Sequence, residues 1–400
     1  MKEDGPVTDQ GRRSGQGTEV RTVLIIGAGL IGTSAGLALR DRGVDVYLQD
    51  ADAAAAALAA DLGAGSLERP ASDPEVVVLA VPPQSIAPVL MELQRRYLTS
   101  TFMDVGSVKV RPQVEAETAG VDMSRFVGGH PMAGRERPGP AGARADLFVA
   151  RPWVLTPGPT VSAQSLARAR SLVELCGADL FVMSAERHDE AVALVSHVPQ
   201  LVATLTAARL NGVEAELVAL SGQGIRDVTR IAASDPALWT EILDANAGVV
   251  LAVLDQLAVD LDRVRRALRR LDDKSTQSRL DDKSTKRGRD TPDPAMDARA
   301  ELTALLVAGN SGRARIPGKH GGARADYVSV PVVIPDRPGS LASLFAAAGE
   351  AGVNVEDVSI EHSPGQPVGL VELLVQPNAA ASLADALRES GWTVHYGQSA

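Results

Sequence analysis

The sequence predicts an α/β chain in three parts: a parallel-sheet domain at residues 21–183, an all-helical part at 184–308, and a small α+β unit at 327–400. Three observations carry this. A glycine-rich turn, GAGLIG, joins an apolar run to a segment with helical apolar spacing. After Ser184 the strand signals stop and long amphipathic runs take over. From Tyr327 the apolar pattern returns in the order strand, helix, strand, strand, helix, strand, which is the ferredoxin-like order. A length of 400 residues suits two or three domains.

Residues 1–20 are polar, charged and glycine-rich; they are expected to form a disordered tail, and without an apolar stretch they are no signal peptide. Residues 21–26 read as a buried strand, 27–32 as a turn, 33–42 as a helix and 45–50 as a second strand, a βαβ unit opening a Rossmann-type sheet. Residues 51–62 are alanine-rich and helical. Residues 75–81 form an apolar strand ended by Pro82-Pro83, and 101–105 and 125–129 read as further strands. In the helical part, 185–210, 214–220 and 236–271 read as helices, the last started by an Asp235 cap with Pro236 at the first helical position. Residues 272–294 continue the near-repeat LDDKST and end in KRGRD. They are expected to be a disordered insert, since the acidic pairs dilute any basic nucleic-acid arm. Helix resumes at 296–308, and 309–326 reads as a linker. The last unit reads as strand 327–334, helix 340–351, strands 353–362 and 369–375, helix 380–390 and strand 392–396.

Composition narrows the function before any motif does. A hydrophobic fraction of 45% supports real cores, and a formal charge of −10 argues against general affinity for nucleic acid or an anionic membrane. No stretch of about 18 apolar residues free of charge stands out, so no membrane span is expected and the cytoplasm is the expected address. The one cysteine, Cys176, lies in an apolar run and reads as a buried small hydrophobe. A disulfide framework and a cysteine-built metal site are thereby excluded, and no metal is expected.

The turn supplies Gly27, Gly29 and Gly32. The first permits the tight bend, the second lets backbone approach a pyrophosphate, and the third lets the helix pack close to the strand. The free N–H groups at the helix start, over Leu30 and Ile31, favour phosphate. Asp50 ends the next strand, where a carboxylate accepts hydrogen bonds from ribose hydroxyls and repels a 2′-phosphate; NAD is therefore expected over NADP. Val81 and Pro82, at the end of the strand at 75–81, are expected to line the same crevice.

Of the six histidines, His130 is the strongest candidate for chemistry. It sits in GGHPMAGRE, just after a strand of the α/β part, and reads as a functional residue on a shaped loop where ligands meet a cofactor. His188 and His197 are nine residues apart, about 180° round a helix, so they should not share a face. His188-Asp189 accordingly reads as structural. Arg226 and Arg230, four apart, share a face if 225–233 is helical.

Behind GAGLIG, the motifs DVGSVK (104–109), GGHPMAG (128–134), HDEAVALVSHVPQ (188–200), RDVTRIAASDPALW (226–239) and GNSGRARIPGKHGG (309–322) follow in order. Together they resemble prephenate dehydrogenase over roughly residues 21–325. PDRPGSL (335–341), followed by AGVNVEDVSIE (351–361), resembles an ACT domain, the amino-acid-sensing module appended to some members.

The resemblance implies NAD-dependent oxidative decarboxylation of prephenate to 4-hydroxyphenylpyruvate, on the route to tyrosine, by a homodimer whose helical part forms the interface. It makes His130 the base that takes the hydroxyl proton and Ser107 a hydrogen-bonding partner near hydroxyl and nicotinamide. It makes Arg230 the partner of the ring carboxylate, with Arg226 adding charge where many relatives have Lys. His197 matches a histidine facing the cleft. Gln200 departs from the pattern, since many relatives have a second His there, and this leaves arogenate as an alternative substrate. In the C-terminal unit, Asp336, Gly339 and Asn354 fall where relatives hold an effector, with L-tyrosine the natural candidate. The alternative of a different class is a non-catalytic amino-acid-binding regulator; the joint presence of Ser107, His130, His197 and Arg230 speaks against it.

Overall fold

A computed structural model describes residues 20–135, 137–280, 294–316, 327–362 and 367–397, which fall into two compact units, Met1–Arg263 and Val264–Ala400. Residues 1–19, 281–293 and 317–326, where a tail, most of the insert and most of the linker were expected, lie outside the described residues.

The first unit begins with β1 (Thr22–Ile26), α1 (Leu30–Arg40), β2 (Asp45–Gln49), α2 (Ala53–Asp61), β3 (Val76–Leu79), α3 (Pro83–Arg96), β4 (Thr101–Asp104), α4 (Val110–Thr118), β5 (Phe126–Pro131), β6 (Pro152–Pro157), α5 (Ala163–Leu175) and β7 (Asp179–Val182). These strands make one seven-stranded sheet in the order β2-β1-β3-β4-β5-β6-β7, parallel throughout except that β6 runs against β5. The strands are short, apolar runs because helices cover both faces: every residue of β3 and β4 is buried. On one face Ala35, Leu39, Leu172 and Val173 pack with Phe148 and Trp153. On the other, Ile86, Leu90 and Leu93 pack with Phe102 and Ala116. The chain goes to β2 on one side of β1 and returns to β3 on the other, so a crevice opens at the carboxyl ends of β1 and β3.

One expectation changes here. His130 lies within β5, paired with Val154, and not on a loop after it. Its two glycines serve packing: a Cβ on Gly128 would sit 2.3 Å from the Thr156 hydroxyl, and one on Gly129 would sit 2.7 Å from the Asp104 carbonyl oxygen.

The helical part continues the unit with α6 (Ala185–Val192), a π turn (Ala193–His197), α7 (Val198–Ala208), α8 (Ala215–Val218), α9 (Gln223–Thr229), a 3-10 turn (Arg230–Ala232), α10 (Pro236–Ala245) and α11 (Ala247–Leu280). The expected continuous helix over 185–210 is thus widened in the middle. Pro199 is the physical reason: it has no N–H for the Val195 carbonyl and its ring crowds that turn, and the Val198 N–H reaches back to Ala193 O instead. Ala185–Ala208 is long and apolar enough by composition to cross a membrane. Its buried polar side chains, His188, Asp189, His197 and Gln200, are instead hydrogen-bonded within the fold. The expected single helix over 236–271 is broken by a 93° bend at Asn246. The helix expected through 225–233 gives way at Arg230 to the tighter turn. Exposed bonds fasten this part to the sheet domain, Gln84 to Glu241 at 2.8 Å and Arg111 to Asp244.

Residues 272–280, expected to lack structure, extend α11 instead; they hold Asp, Lys, Ser, Thr, Gln, Arg and Leu, with neither Gly nor Pro to stop it. In the second unit α12 (Pro294–Ala314) likewise runs into the stretch read as linker. Then come β8 (Val328–Pro335), α13 (Ser340–Glu350), β9 (Asp357–His362), β10 (Val368–Val375), α14 (Pro377–Glu389) and β11 (Thr393–Val394). Their four strands pair antiparallel in the order β11-β8-β10-β9. Val330, Val332 and Ile334 on one face of β8 meet Leu344, Leu383 and Leu387 from the two helices.

Leu172, fully buried against the sheet, offers a direct test of that core. Leu172→Ala should lower the unfolding free energy by about 2–5 kcal/mol, read from urea denaturation followed by circular dichroism.

Candidate active site

The crevice between β1 and β3 is built from glycine geometry. Gly27 has a φ of +106°, and a Cβ on it would sit 2.1 Å from the Ala80 carbonyl oxygen. A Cβ on Gly32 would sit 1.9 Å from the Gly27 carbonyl oxygen. Both positions admit only glycine. Gly29 differs, since a Cβ there would meet nothing within 4 Å. The backbone beside Leu30 and Ile31 therefore faces open space at the start of α1, whose first N–H groups have no partner inside the helix. Asp50 accepts the Ala28 N–H at 2.5 Å and the Asp52 N–H at 2.7 Å, which pins the turn to the end of β2 while each oxygen keeps a lone pair. Val81, partly exposed, and Pro82, exposed, follow β3 at the same edge. All the expected cofactor residues thus meet at one crevice, and an open, donor-lined cradle with an acid beside it fits a dinucleotide.

Next to it, a buried ion pair shapes the DVGSVK loop. Asp104 accepts the Gly106 N–H at 3.0 Å and the Gly129 N–H at 3.1 Å, and Lys109 Nζ donates to Asp104 and, at 2.6 Å, to Gly129 O. Both side chains are about 1–2% exposed. Burial lowers the Lys109 pKa, against the pull of Asp104 and Asp189. Ser107 rides on the loop so formed, partly exposed.

His130, partly exposed, follows Gly129 directly. Its Nδ1 lies 2.8 Å from Nε2 of His188, and His188 Nδ1 lies 2.7 Å from Asp189 Oδ1. Sequence reasoning took His188-Asp189 as structural and set His188 opposite His197. The π turn overturns the second point: one extra residue in the turn takes about 100° off the angle between them. Asn246, at the bend before α11, bonds both the Asp189 carbonyl at 2.9 Å and His197 Nδ1 at 3.2 Å, and Trp239 stands edge-on to His197. The legible signal for this was Pro199, two residues after His197 in an otherwise unbroken helical pattern.

Burial, with His188, Lys109 and His197 adding to it, holds the His130 imidazole well below its ordinary pKa. Burial takes His197 down to about 4; Asp189 opposes the shift and His188 adds to it. Gln200 is buried and donates to Ser234 Oγ at 2.7 Å. Arg226 and Arg230 are exposed; Arg226 lies on α9 and Arg230 on the turn that follows. Cys176 is buried, its thiol pushed up to about 12, as a structural residue requires. Among the described residues no group of three or more His, Cys, Asp or Glu could hold a metal ion.

In the second unit, Gly339 adopts a φ of +90° at the start of α13, and Asp336 donates its N–H to Pro367 O at 2.9 Å. Asn354 donates to Glu356 at 2.7 Å in the connection before β9, so the strand expected from 353 begins only at Asp357.

Comparison with known proteins adds names to this geometry. Residues 35–182 match the nucleotide-binding domain of prephenate dehydrogenase, and residues 184–280 match its dimerization domain. A probable prephenate dehydrogenase of Streptomyces niveus, NovF, is 38% identical over 375 residues, covering 93% of this chain and 99% of that one. A crystal structure of prephenate dehydrogenase from A. aeolicus, in complex with hydroxyphenyl propionate and NAD+, superposes with a TM-score of 0.63 at 26% identity, over 76% of this chain and 100% of that one. Arogenate dehydrogenase of Synechocystis superposes with a TM-score of 0.57 at 27% identity, over 73% and 98% of the two chains.

Gly27→Ala should weaken dinucleotide binding at least about tenfold, measured by calorimetric titration, because the added carbon collides with the Ala80 carbonyl. The depressed histidines also set a pH window. His197 binds its proton near pH 4 when folded and near its ordinary 6.5 when unfolded, so the unfolded state binds more protons between those values. Stability should therefore fall as pH drops from about 6.5 toward 4, with His130 adding to the loss, and His197→Asn should flatten that dependence in urea titrations across the window.

Proposed function

The chain belongs to the prephenate dehydrogenase family, and on that premise we propose that it oxidises prephenate to 4-hydroxyphenylpyruvate with loss of CO2, using His130 and the glycine turn. NAD, held by Gly27, Gly29, Leu30, Ile31, Gly32 and Asp50 with Val81 and Pro82 beside it, supplies the hydride acceptor. Asp50, already bonded to Ala28, supports NAD over NADP. The observation that carries the reading is His130, held neutral by its surroundings and keeping partial exposure next to the Ser107 loop. A neutral imidazole can take the hydroxyl proton as the carbinol carbon becomes a carbonyl, and loss of CO2 then makes the ring aromatic. Ser107 positions the hydroxyl. Arg230 and Arg226 supply exposed cations for the substrate carboxylates, and His197 and Gln200 line the side-chain end.

Gln200 favours a second substrate reading. Its amide, uncharged and already tied to Ser234, suits the amino acid arogenate as readily as the keto acid, and the Synechocystis neighbour carries that name. Steady-state kinetics on both substrates with NAD and NADP decides between them; turnover of neither would remove the proposal.

The strand order of the second unit and the left-handed Gly339 in PDRPGSL support an ACT module that binds L-tyrosine through Asp336, Gly339 and Asn354. A homodimer is supported by the dimerization-domain match and by apolar residues left exposed on the helical part, among them Leu194, Val195, Leu251 and Leu261.

His130→Ala should lower kcat by about 10²–10⁴-fold. In the parent protein kcat/KM should hold through pH 6.5 on the acid side, because a base with a depressed pKa stays deprotonated there; an acid limb centred at or above 6.5 would contradict the assignment. Asn354→Ala should weaken inhibition by added L-tyrosine with turnover otherwise kept, read from inhibition curves.

A further inference from the structure

Asp189 is about 1% exposed and accepts three hydrogen bonds. The backbone N–H groups of Lys109 and Val110, at the start of α4, reach Oδ1 and Oδ2 at 2.9 Å each, and His188 Nδ1 reaches Oδ1 at 2.7 Å. Two fixed N–H donors make this carboxylate an acceptor, so His188 must carry a proton on Nδ1. A neutral His188 then has its lone pair on Nε2, and that atom lies 2.8 Å from His130 Nδ1. Two lone pairs do not hold such a contact, so the proton between the rings belongs to His130.

We propose that His188, locked by Asp189, is a positioning residue that holds His130 with its proton on Nδ1 and its lone pair on Nε2, ready for the substrate hydroxyl. The proposal rests on the reading of His130 as the base. The logic is that of a carboxylate fixing a catalytic imidazole, with a second imidazole between the two. The charged and titratable groups facing the pair are Asp189 from α6, Lys109 at the start of α4, Asp104 from β4 and His197 from the π turn. A protonated His188 would reverse the bond, place the His130 proton on Nε2 and leave no lone pair for the substrate. The neutral state of His188 is therefore part of the proposal.

The test uses the full chain, labelled with ¹⁵N-histidine, with the His130 signals identified by their loss in His130→Asn. Near pH 7.5, His130 Nδ1 should give a protonated, pyrrole-type shift and Nε2 a pyridine-type shift. The opposite pattern overturns the proposal whatever the variants do. His188→Phe, which removes the acceptor, should lower kcat by about 100-fold or more while KM for both substrates stays within about threefold. His188→Gln, whose side-chain oxygen can accept the same proton, should lose no more than about tenfold. A His188→Phe enzyme with kcat within about threefold of the parent overturns the idea, and if that variant fails to fold, the ¹⁵N pattern of the parent decides alone. The two readings fail separately: loss of turnover in His130→Ala with full turnover in His188→Phe defeats only the positioning role, whereas full turnover in His130→Ala defeats the base itself.

Discussion

The position of His130 depends on the two oxygens of Asp104. The ladder between β4 and β5 covers only Phe102 to Phe126 and Met103 to Val127, and it stops short of the histidine. Beyond it, Asp104 and Lys109 take over: they hold Gly129 from both its N–H and its carbonyl, so charge continues the pairing that the ladder drops. A buried ion pair is costly to desolvate, and it survives here because each partner also has backbone bonds. The same pair bends the chain back through Gly106, the residue before Ser107. One electrostatic contact therefore orders both the strand end before His130 and the loop that carries Ser107.

A second constraint brings the helical part to that point. Pro199 widens the helix before it, and the widened turn swings His197 toward the side that bears His188. Asn246 then bonds Asp189 and His197 together, so the sharp bend at the start of α11 is tied to the cleft. Asp189 reaches the other way and caps α4 of the sheet domain. A chain of hydrogen bonds thus crosses from one layer of the fold to the next. Its members sit where water is largely excluded, which strengthens each bond and raises the cost of any unpaired group.

Much of this was legible in the sequence, for reasons that differ from residue to residue. Gly27, Gly32 and Asp50 were readable because their tasks are set by backbone geometry within a short segment. His130 was readable as a candidate for the site but not as a strand residue. Its glycine neighbours suggested a loop, and only the fold shows that they make room for Thr156 and Asp104. The facing of His188 and His197 was misread because a uniform helix was assumed across Pro199. The Asp104–Lys109 pair went unread because it depends on β4 and β5 lying side by side, which no local pattern states. The extension of α11 through Leu280 was missed because polar composition was taken for disorder, although the residue types there tolerate a helix.

The widened turn at Ala193–His197 has a genetic consequence. It stores one residue more than an α-helix would use, and so it fixes a reading frame in space as well as in sequence. Removing one residue there would let the helix close into regular form with everything after it still facing the same way, because the widened turn already absorbs that residue's rotation of about 100°. Closing the turn with no residue removed would instead rotate His197 and Gln200 together by about 100° while every codon stayed intact. For this stretch a one-residue deletion is silent in facing, and aligning a relative that lacks the extra residue without a gap here would pair residues that point in different directions.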